Sequence, residues 1–260
     1  MAKFSLKNKT VLVTGGGSGI GEAISVTFAH QGAKVHIMDF DFKSAQFVAF
    51  KIKKIGGKAE AHQCNVANQQ KVLNITNKIA ENDTIDILIN NAGIAHVGNI
   101  EACEEADLDR LYDVNIKGVY NCIKAAIPFM KKQQNGVILN LASIASTVGL
   151  NDRFAYSMTK GAVLTMTYSI AKDYINDGIR CNCIAPGRVH TPFVDGFIKN
   201  NYPGKEEEMF EKLSRTQPIG RMGSTQEIAD LVLFLCSDEA GFITGSNYAI
   251  DGGFVTLNGN

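Results

Sequence analysis

Apolar residues along this chain fall into two patterns that take turns. Short runs such as Thr10-Val-Leu-Val-Thr14 and Ile85-Asp-Ile-Leu-Ile-Asn90 have the near-continuous apolar character of strands buried on both faces. Between them, apolar positions recur three and four apart among polar residues, the helical period. In order, the pattern predicts strands over 10–14, 34–39, 59–64, 85–90, 136–142, 178–185 and 247–250. It predicts helices over 22–31, 43–55, about 68–81, 108–130, around Tyr156, and 228–236. Gly32, Gly56-Gly57 and Gly252-Gly253 punctuate the ends of elements, and Ser224-x-x-Glu227 is a capping box opening the last long helix. The segment 191–217 breaks the alternation with mixed polarity, glycine, proline and the charged patch Lys205-Glu-Glu-Glu208. It reads as a lid of short helices over the site, with the charged patch as solvated helix surface. Strands alternating with helices, without repeat or linker, predict an α/β fold in one domain spanning 1–260.

Composition narrows the classes. The 260 residues are 45% hydrophobic and 20% charged, ordinary for a globular domain with a sizeable core. With 26 basic and 26 acidic side chains the formal net charge is zero, which argues against a nucleic-acid partner or an anionic membrane surface. No apolar run approaches the roughly eighteen residues of a membrane helix, and Met1-Ala-Lys-Phe-Ser-Leu-Lys7 lacks the apolar region of a signal peptide. The six cysteines, Cys64, Cys103, Cys122, Cys181, Cys183 and Cys236, are scattered, mostly in apolar segments. They read as reduced core thiols of a cytoplasmic protein. Cys181 and Cys183 have no histidine or cysteine at metal spacing, so no metal site is expected.

Three stretches carry chemistry. Thr14-Gly-Gly-Gly-Ser-Gly-Ile-Gly21 follows a strand and opens a helix. Glycines there let backbone approach a pyrophosphate, and the helix N-terminus offers amides and a positive dipole end. Asp39 ends the next strand, eighteen residues beyond Gly21, where an acid binds a ribose and repels a 2′-phosphate. No basic residue lies in the glycine turn and Phe40 follows the acid, so the cofactor expected is NAD. After the strand over 85–90, Asn91-Ala92-Gly93 is small enough for backbone to lie beside the cofactor ribose. Asn115 stands inside an apolar helix and needs a partner. Ser143 emerges from the strand over 136–142, thirteen positions before Tyr156. Tyr156 and Lys160 are one helical turn apart on one face, where an ammonium favours the phenolate and prepares the tyrosine for proton exchange.

Together these residues resemble the short-chain dehydrogenase/reductase family over about residues 6–255. The likeness rests on Thr-Gly-x-x-x-Gly-x-Gly at 14–21, Asn-Asn-Ala-Gly at 90–93, Asn115, Ser143, Tyr156 with Lys160, and Pro186-Gly187 with Thr191. The resemblance implies a doubly wound Rossmann-type fold with a seven-stranded parallel sheet and a catalytic tetrad of Asn115, Ser143, Tyr156 and Lys160. In that scheme Ser143 holds the substrate oxygen and Tyr156 is the acid/base. Lys160 lowers the tyrosine pKa and binds the nicotinamide ribose, and Asn115 holds a water relaying protons to Lys160. The cofactor would lie along Gly15, Ser18, Gly19, Ile20, Gly21, Asp39, Phe40, Asn65, Val66, Asn91, Ala92 and Gly93, with Pro186, Gly187, Val189 and Thr191 at the nicotinamide end. Asn65 departs from the aspartate usual there but keeps an acceptor oxygen for adenine. Relatives are commonly homotetramers, paired through the two long helices and the last strand.

For the substrate, a small molecule, the stretches 187–194, 202–204, 208–210 and 217–223 look like the lid of sugar-acid dehydrogenases, such as those acting on 2-keto-3-deoxy-L-fuconate. Arg153 stands where hydroxybutyrate dehydrogenase relatives carry a carboxylate-binding arginine, against the alternative of a surface or subunit-contact arginine. Two other classes stay open: a non-catalytic NAD-sensing protein of this fold, and a sugar epimerase or dehydratase sharing Tyr-x-x-x-Lys.

Overall fold

The computed structural model describes residues 3–257, so Met1, Ala2 and residues 258–260 of the expected domain lie outside it, as do the side chains of Phe193 and Asn201. Seven strands are β1 (Thr10–Thr14), β2 (Lys34–Asp39), β3 (Lys58–Gln63), β4 (Ile87–Asn90), β5 (Gly136–Leu141), β6 (Ile179–Pro186) and β7 (Asn247–Ile250). They form one sheet in the order β3-β2-β1-β4-β5-β6-β7, with every pairing parallel. The order reverses between β1 and β4, and such a switch point opens a crevice at the carboxyl ends of the strands.

Both faces are covered, as the continuous apolar runs require. Val11 and Val13 of β1 face the core shared with α1 (Gly19–His30), α2 (Phe42–Lys54) and α9 (Thr225–Cys236). Leu12, on the alternate face, joins the core under α3 (Gln69–Ala80), α5 (Gly118–Gln133) and α6 (Phe154–Asp173). Phe28 of α1 is fully buried, which stabilises by roughly 1.5–3 kcal/mol for a side chain of this kind. The capping box is present at α9: Ser224 Oγ accepts from the Glu227 N–H at 3.2 Å, and Glu227 Oε2 accepts from the Ser224 N–H at 2.8 Å.

The structure redraws two helices. The first begins at Gly19 rather than residue 22, because the glycines are needed for close approach. A Cβ on Gly21 would stand 2.1 Å from the Gly15 carbonyl oxygen. The helix predicted over 108–130 is interrupted: α4 (Glu105–Leu111) passes into a π-turn (Tyr112–Lys117) before α5. Asn115 sits in this turn, and its side-chain amide bonds the Ile94 backbone of another segment. The segment after β6 holds two short helices, α7 (Pro192–Asn201) and α8 (Glu206–Ser214), and α10 (Phe254–Leu257) follows the last strand.

Candidate active site

At the switch point two turns are stitched together. Thr14 Oγ1 accepts from the backbone N–H groups of Asn91 (3.0 Å) and Ala92 (3.1 Å), while Asn91 Nδ2 donates to the carbonyls of Thr14 (3.0 Å) and Gly15 (2.9 Å). Gly15 takes φ +61°, and a Cβ there would stand 2.9 Å from the Ala92 Cα. Ser18 precedes α1 without a side-chain cap, so the first amides of that helix keep no side-chain acceptor. Asp39 faces this turn: its Oδ2 accepts from the Gly17 N–H at 2.8 Å and its Oδ1 from the Asp41 N–H at 2.9 Å. Phe40 beside it is 74% exposed. Asn65 closes a local turn, its Oδ1 accepting from the Ala67 N–H at 3.0 Å, and Val66 is buried.

The opposite wall leaves β6 through Pro186. A Cβ on Gly187 would meet Gln217 Oε1 at 2.5 Å, and one on Gly19 would lie 3.7 Å from Thr191. Val189 is buried and bridges Gly223, while Thr191 Oγ1 accepts from the Val194 N–H at 3.4 Å as the cap of α7. Ile20 reaches the same cleft from α1.

Between these walls Ser143, Tyr156 and Lys160 line one cleft of about 390 Å³. Ser143 follows β5 in extended conformation, and its Oγ accepts from the Ala145 N–H at 3.2 Å to open a 3₁₀ turn. Lys160 is buried to 7% exposure, with Nζ 5.8 Å from the centre of the Tyr156 ring and donating to the Leu141 carbonyl at 2.6 Å. Asn115 lies behind them: Oδ1 accepts from the Ile94 N–H at 2.8 Å, and Nδ2 donates to the Ile94 carbonyl (2.9 Å) and Thr159 Oγ1 (3.0 Å). Gly93 threads between, since a Cβ there would be 3.3 Å from Asn115 Oδ1 and 3.6 Å from Lys160 Nζ.

The electrostatics differ from the expectation that Lys160 lowers the tyrosine pKa. Burial raises the Tyr156 phenol above its ordinary value, while the Ser143 hydroxyl and the Arg153 guanidinium pull it down. Burial also pulls Lys160 down to about 8. Its ammonium is turned to the Leu141 carbonyl rather than the phenol, which is why the lysine alone does not favour the phenolate.

Arg153 stands at the start of α6 and lines the cleft, its Nη1 donating to the Asp152 carbonyl at 2.8 Å. Arg188, which the sequence analysis does not single out, lines it too, with Nε donating to Thr216 Oγ1 at 3.4 Å. Burial and then the nearby Arg153 charge lower Arg188 from the usual guanidinium range. Among the described residues neither arginine is ion-paired. Gln217 and Phe254 complete the same wall; the signal for Arg188 was its place directly after Pro186-Gly187. A larger cleft, about 480 Å³, opens at the amino ends of the strands around Lys9, Asp86, Arg180 and Phe242, but holds none of these groups.

A doubly wound parallel sheet with a glycine turn at its switch point is the architecture of dinucleotide-binding proteins. The family model described as Enoyl-(Acyl carrier protein) reductase matches residues 15–255, and the chain belongs to the short-chain dehydrogenase/reductase family of oxidoreductases. It is similar to an uncharacterized oxidoreductase of Thermotoga maritima, 41% identical over 98% of this chain and 100% of that one. It is 35% identical to a 2-keto-3-deoxy-L-fuconate dehydrogenase of Xanthomonas campestris, over 96% of this chain and 81% of the relative. Among solved structures, L-sorbose reductase from Gluconobacter frateurii, complexed with NADPH and L-sorbose, superimposes with a TM-score of 0.93 at 26% identity, covering 98% of this chain and 100% of the other. The family uses a nicotinamide cofactor.

Proposed function

We propose that this chain is an NAD-dependent dehydrogenase/reductase that moves a hydride between a nicotinamide and a carbon bearing a secondary alcohol or ketone. The observation that carries the reading is convergence: Ser143, Tyr156 and Lys160 line one cleft whose other wall is the glycine turn, with Asn115 tied in behind. The residues present fit a dinucleotide, because Gly15 and Gly21 let the turn fold tightly onto itself and onto Asn91-Ala92, and the uncapped α1 N-terminus it leads into suits a pyrophosphate. When bound, the nicotinamide supplies or accepts the hydride.

The chain's own residues handle the proton. Ser143 and Tyr156 hold the substrate oxygen from two sides; Tyr156 gives its proton in reduction and, as the phenolate that the Ser143 hydroxyl and Arg153 guanidinium favour, takes the hydroxyl proton in oxidation. Lys160, with a pKa of about 8, can exchange a proton near neutral pH, and Asn115 in its π-turn is assigned the relaying water. The helices over 191–217 act as the lid. Asp39 argues for NAD, since a 2′-phosphate beside a fixed carboxylate would be repelled; the NADPH of the L-sorbose reductase complex belongs to that protein.

Two half-buried arginines that line the cleft with no carboxylate partner among the described residues argue for an acidic substrate, a hydroxy or keto sugar acid. The dehydrogenase similarity to a 2-keto-3-deoxy-L-fuconate enzyme supports the same class. We assign the chain to the cytoplasm on its six free cysteines, five of them buried. The test is an NAD-coupled screen of hydroxy acids, sugar acids and neutral polyols. Arg153→Met should lower kcat/KM on acids about tenfold or more, the worth of roughly 1.5–3 kcal/mol for a charge-assisted bond, and leave polyols nearly unaffected. An equal loss on both classes, or better wild-type turnover of polyols, removes the acid reading.

A further inference from the structure

On the β2–β3 side of the sheet, a second group of polar side chains is built into the fold. His36 and Glu60 are register partners across the parallel β2–β3 pair, and His62 lies two residues beyond Glu60 on the same face. His36 Nδ1 and His62 Nε2 are 2.9 Å apart, and one ligand atom from each of His36, Glu60 and His62 falls within 4.8 Å of the others. His36 is buried to 1% exposure, yet its Nε2 has no hydrogen-bond partner and faces Asp83 Oδ2 at 3.4 Å. A bare imidazole nitrogen facing a carboxylate would be repelled, so the proton of His36 belongs on Nε2. Its Nδ1 lone pair is thereby aimed at His62. A carboxylate orienting one ring nitrogen so that the other can ligate is the arrangement found behind metal-binding histidines.

We propose that His36 Nδ1, His62 Nε2 and Glu60 form a binding site for a divalent transition-metal ion of the zinc class, oriented by Asp83 and separate from the catalytic cleft. Two imidazoles and one carboxylate suit zinc, with water as a fourth ligand. Zinc–ligand bonds of about 2.0–2.2 Å in a tetrahedron set the ligand atoms about 3.3 Å apart, so the two nitrogens part by a few tenths of an ångström and the rings turn until both lone pairs meet at the ion. Lys34 Nζ bonds Asp83 at 2.7 Å and Glu60 at 3.0 Å. A carboxylate has two oxygens, so Glu60 can meet the ion through one while the other stays on the ammonium. The ion would clamp edge strand β3 to β2, and the site needs nothing from the proposed chemistry at Tyr156.

The test is titration of the full chain, stripped with chelator, with Zn²⁺ by calorimetry and with Co²⁺ by visible absorption. One saturable ion per chain is expected, with a rise in Tm reversed by chelator. His62→Ala and Glu60→Gln should each weaken Zn²⁺ binding tenfold or more. Both side chains lie outside the core, so the variants should fold, and circular dichroism checks that they do. His190→Ala, an exposed histidine paired with Asp195, should bind Zn²⁺ like the wild type. No saturable binding, or an affinity unchanged in folded His62→Ala, overturns the proposal.

Discussion

Lys160 carries a cost that its surroundings make measurable. Its folded pKa of about 8 lies below the 10.5 of a free lysine, because burial disfavours the ammonium. Between those values the unfolded chain holds a proton that the folded chain has shed, so stability rises with pH through this window. Below about pH 8 the whole cost is in force, on the order of 3 kcal/mol at 1.36 kcal/mol per unit. Lys160→Met, which also loses the bond to Leu141, should therefore gain in Tm relative to wild type at pH 7 compared with pH 10, while turnover and NAD binding both fall. The same Tm difference at both pH values would mean the lysine is not strained by burial. That Ser143, Tyr156 and Lys160 would come together was legible in the sequence, because spacing on one helix and one strand end is local information, and the three do line one cleft. The direction of the tyrosine shift was not, since it depends on what packs around the phenol and where the Lys160 ammonium points.

The turn between β1 and α1 and the end of β2 act as one element for cofactor choice. Asp39 is fixed there by the Gly17 and Asp41 amides, which hold its charge against the glycine turn. NAD⁺ should be preferred over NADP⁺ by well over tenfold in kcat/KM, which is upwards of about 1.4 kcal/mol. Asp39→Ala combined with Phe40→Arg should erase or reverse that preference; equal kcat/KM for the two cofactors in the wild type would contradict the assignment. At this scale every strand was legible to within two residues, the central ones because a buried parallel strand is a largely apolar run, the polar edge strand β3 because Gly56-Gly57 breaks the helix before it. The π-turn at Asn115 was not, because apolar periodicity continues on both sides of it and the Asn115 side chain's partner, Ile94, lies in another segment. Arg188 escaped for a similar reason: only the fold brings the residues after β6 opposite Arg153.

Across the whole molecule, large apolar side chains stand exposed on adjoining helices. Tyr120 of α5 and Phe154, Met158 and Tyr168 of α6 are each more than 40% exposed, and Tyr112 of the π-turn is 50% exposed. Single exposed apolar residues are ordinary, but several large ones along α5 and α6 are what helices that pair between subunits would carry. We propose a homotetramer in which these helices pair between subunits. Sedimentation velocity at micromolar concentration should give the mass of four chains, and Met158→Asp with Tyr168→Asp should shift it to smaller species; a wild-type monomer would contradict this. No helix among the described residues is long and apolar enough to cross a membrane. Long-range pairing is what the sequence hides at this scale. His36 and His62 are separated by a whole helix in the chain, and nothing in their spacing announces that β2 and β3 set them side by side.

The central claim is that Tyr156 moves the proton while a nicotinamide takes or gives the hydride. It is tested most directly by comparing Tyr156→Phe with the wild type on the best substrate of the NAD-coupled screen, measuring kcat from nicotinamide absorbance and NAD affinity by calorimetry on the same samples. The substitution removes one oxygen and leaves the glycine turn, Asp39 and Lys160 in place. The account predicts a fall in kcat of about 10²–10⁴, the span of a positioned acid–base group, with NAD binding nearly unchanged. A variant keeping more than about a hundredth of wild-type kcat, or losing turnover only because NAD no longer binds, would contradict it.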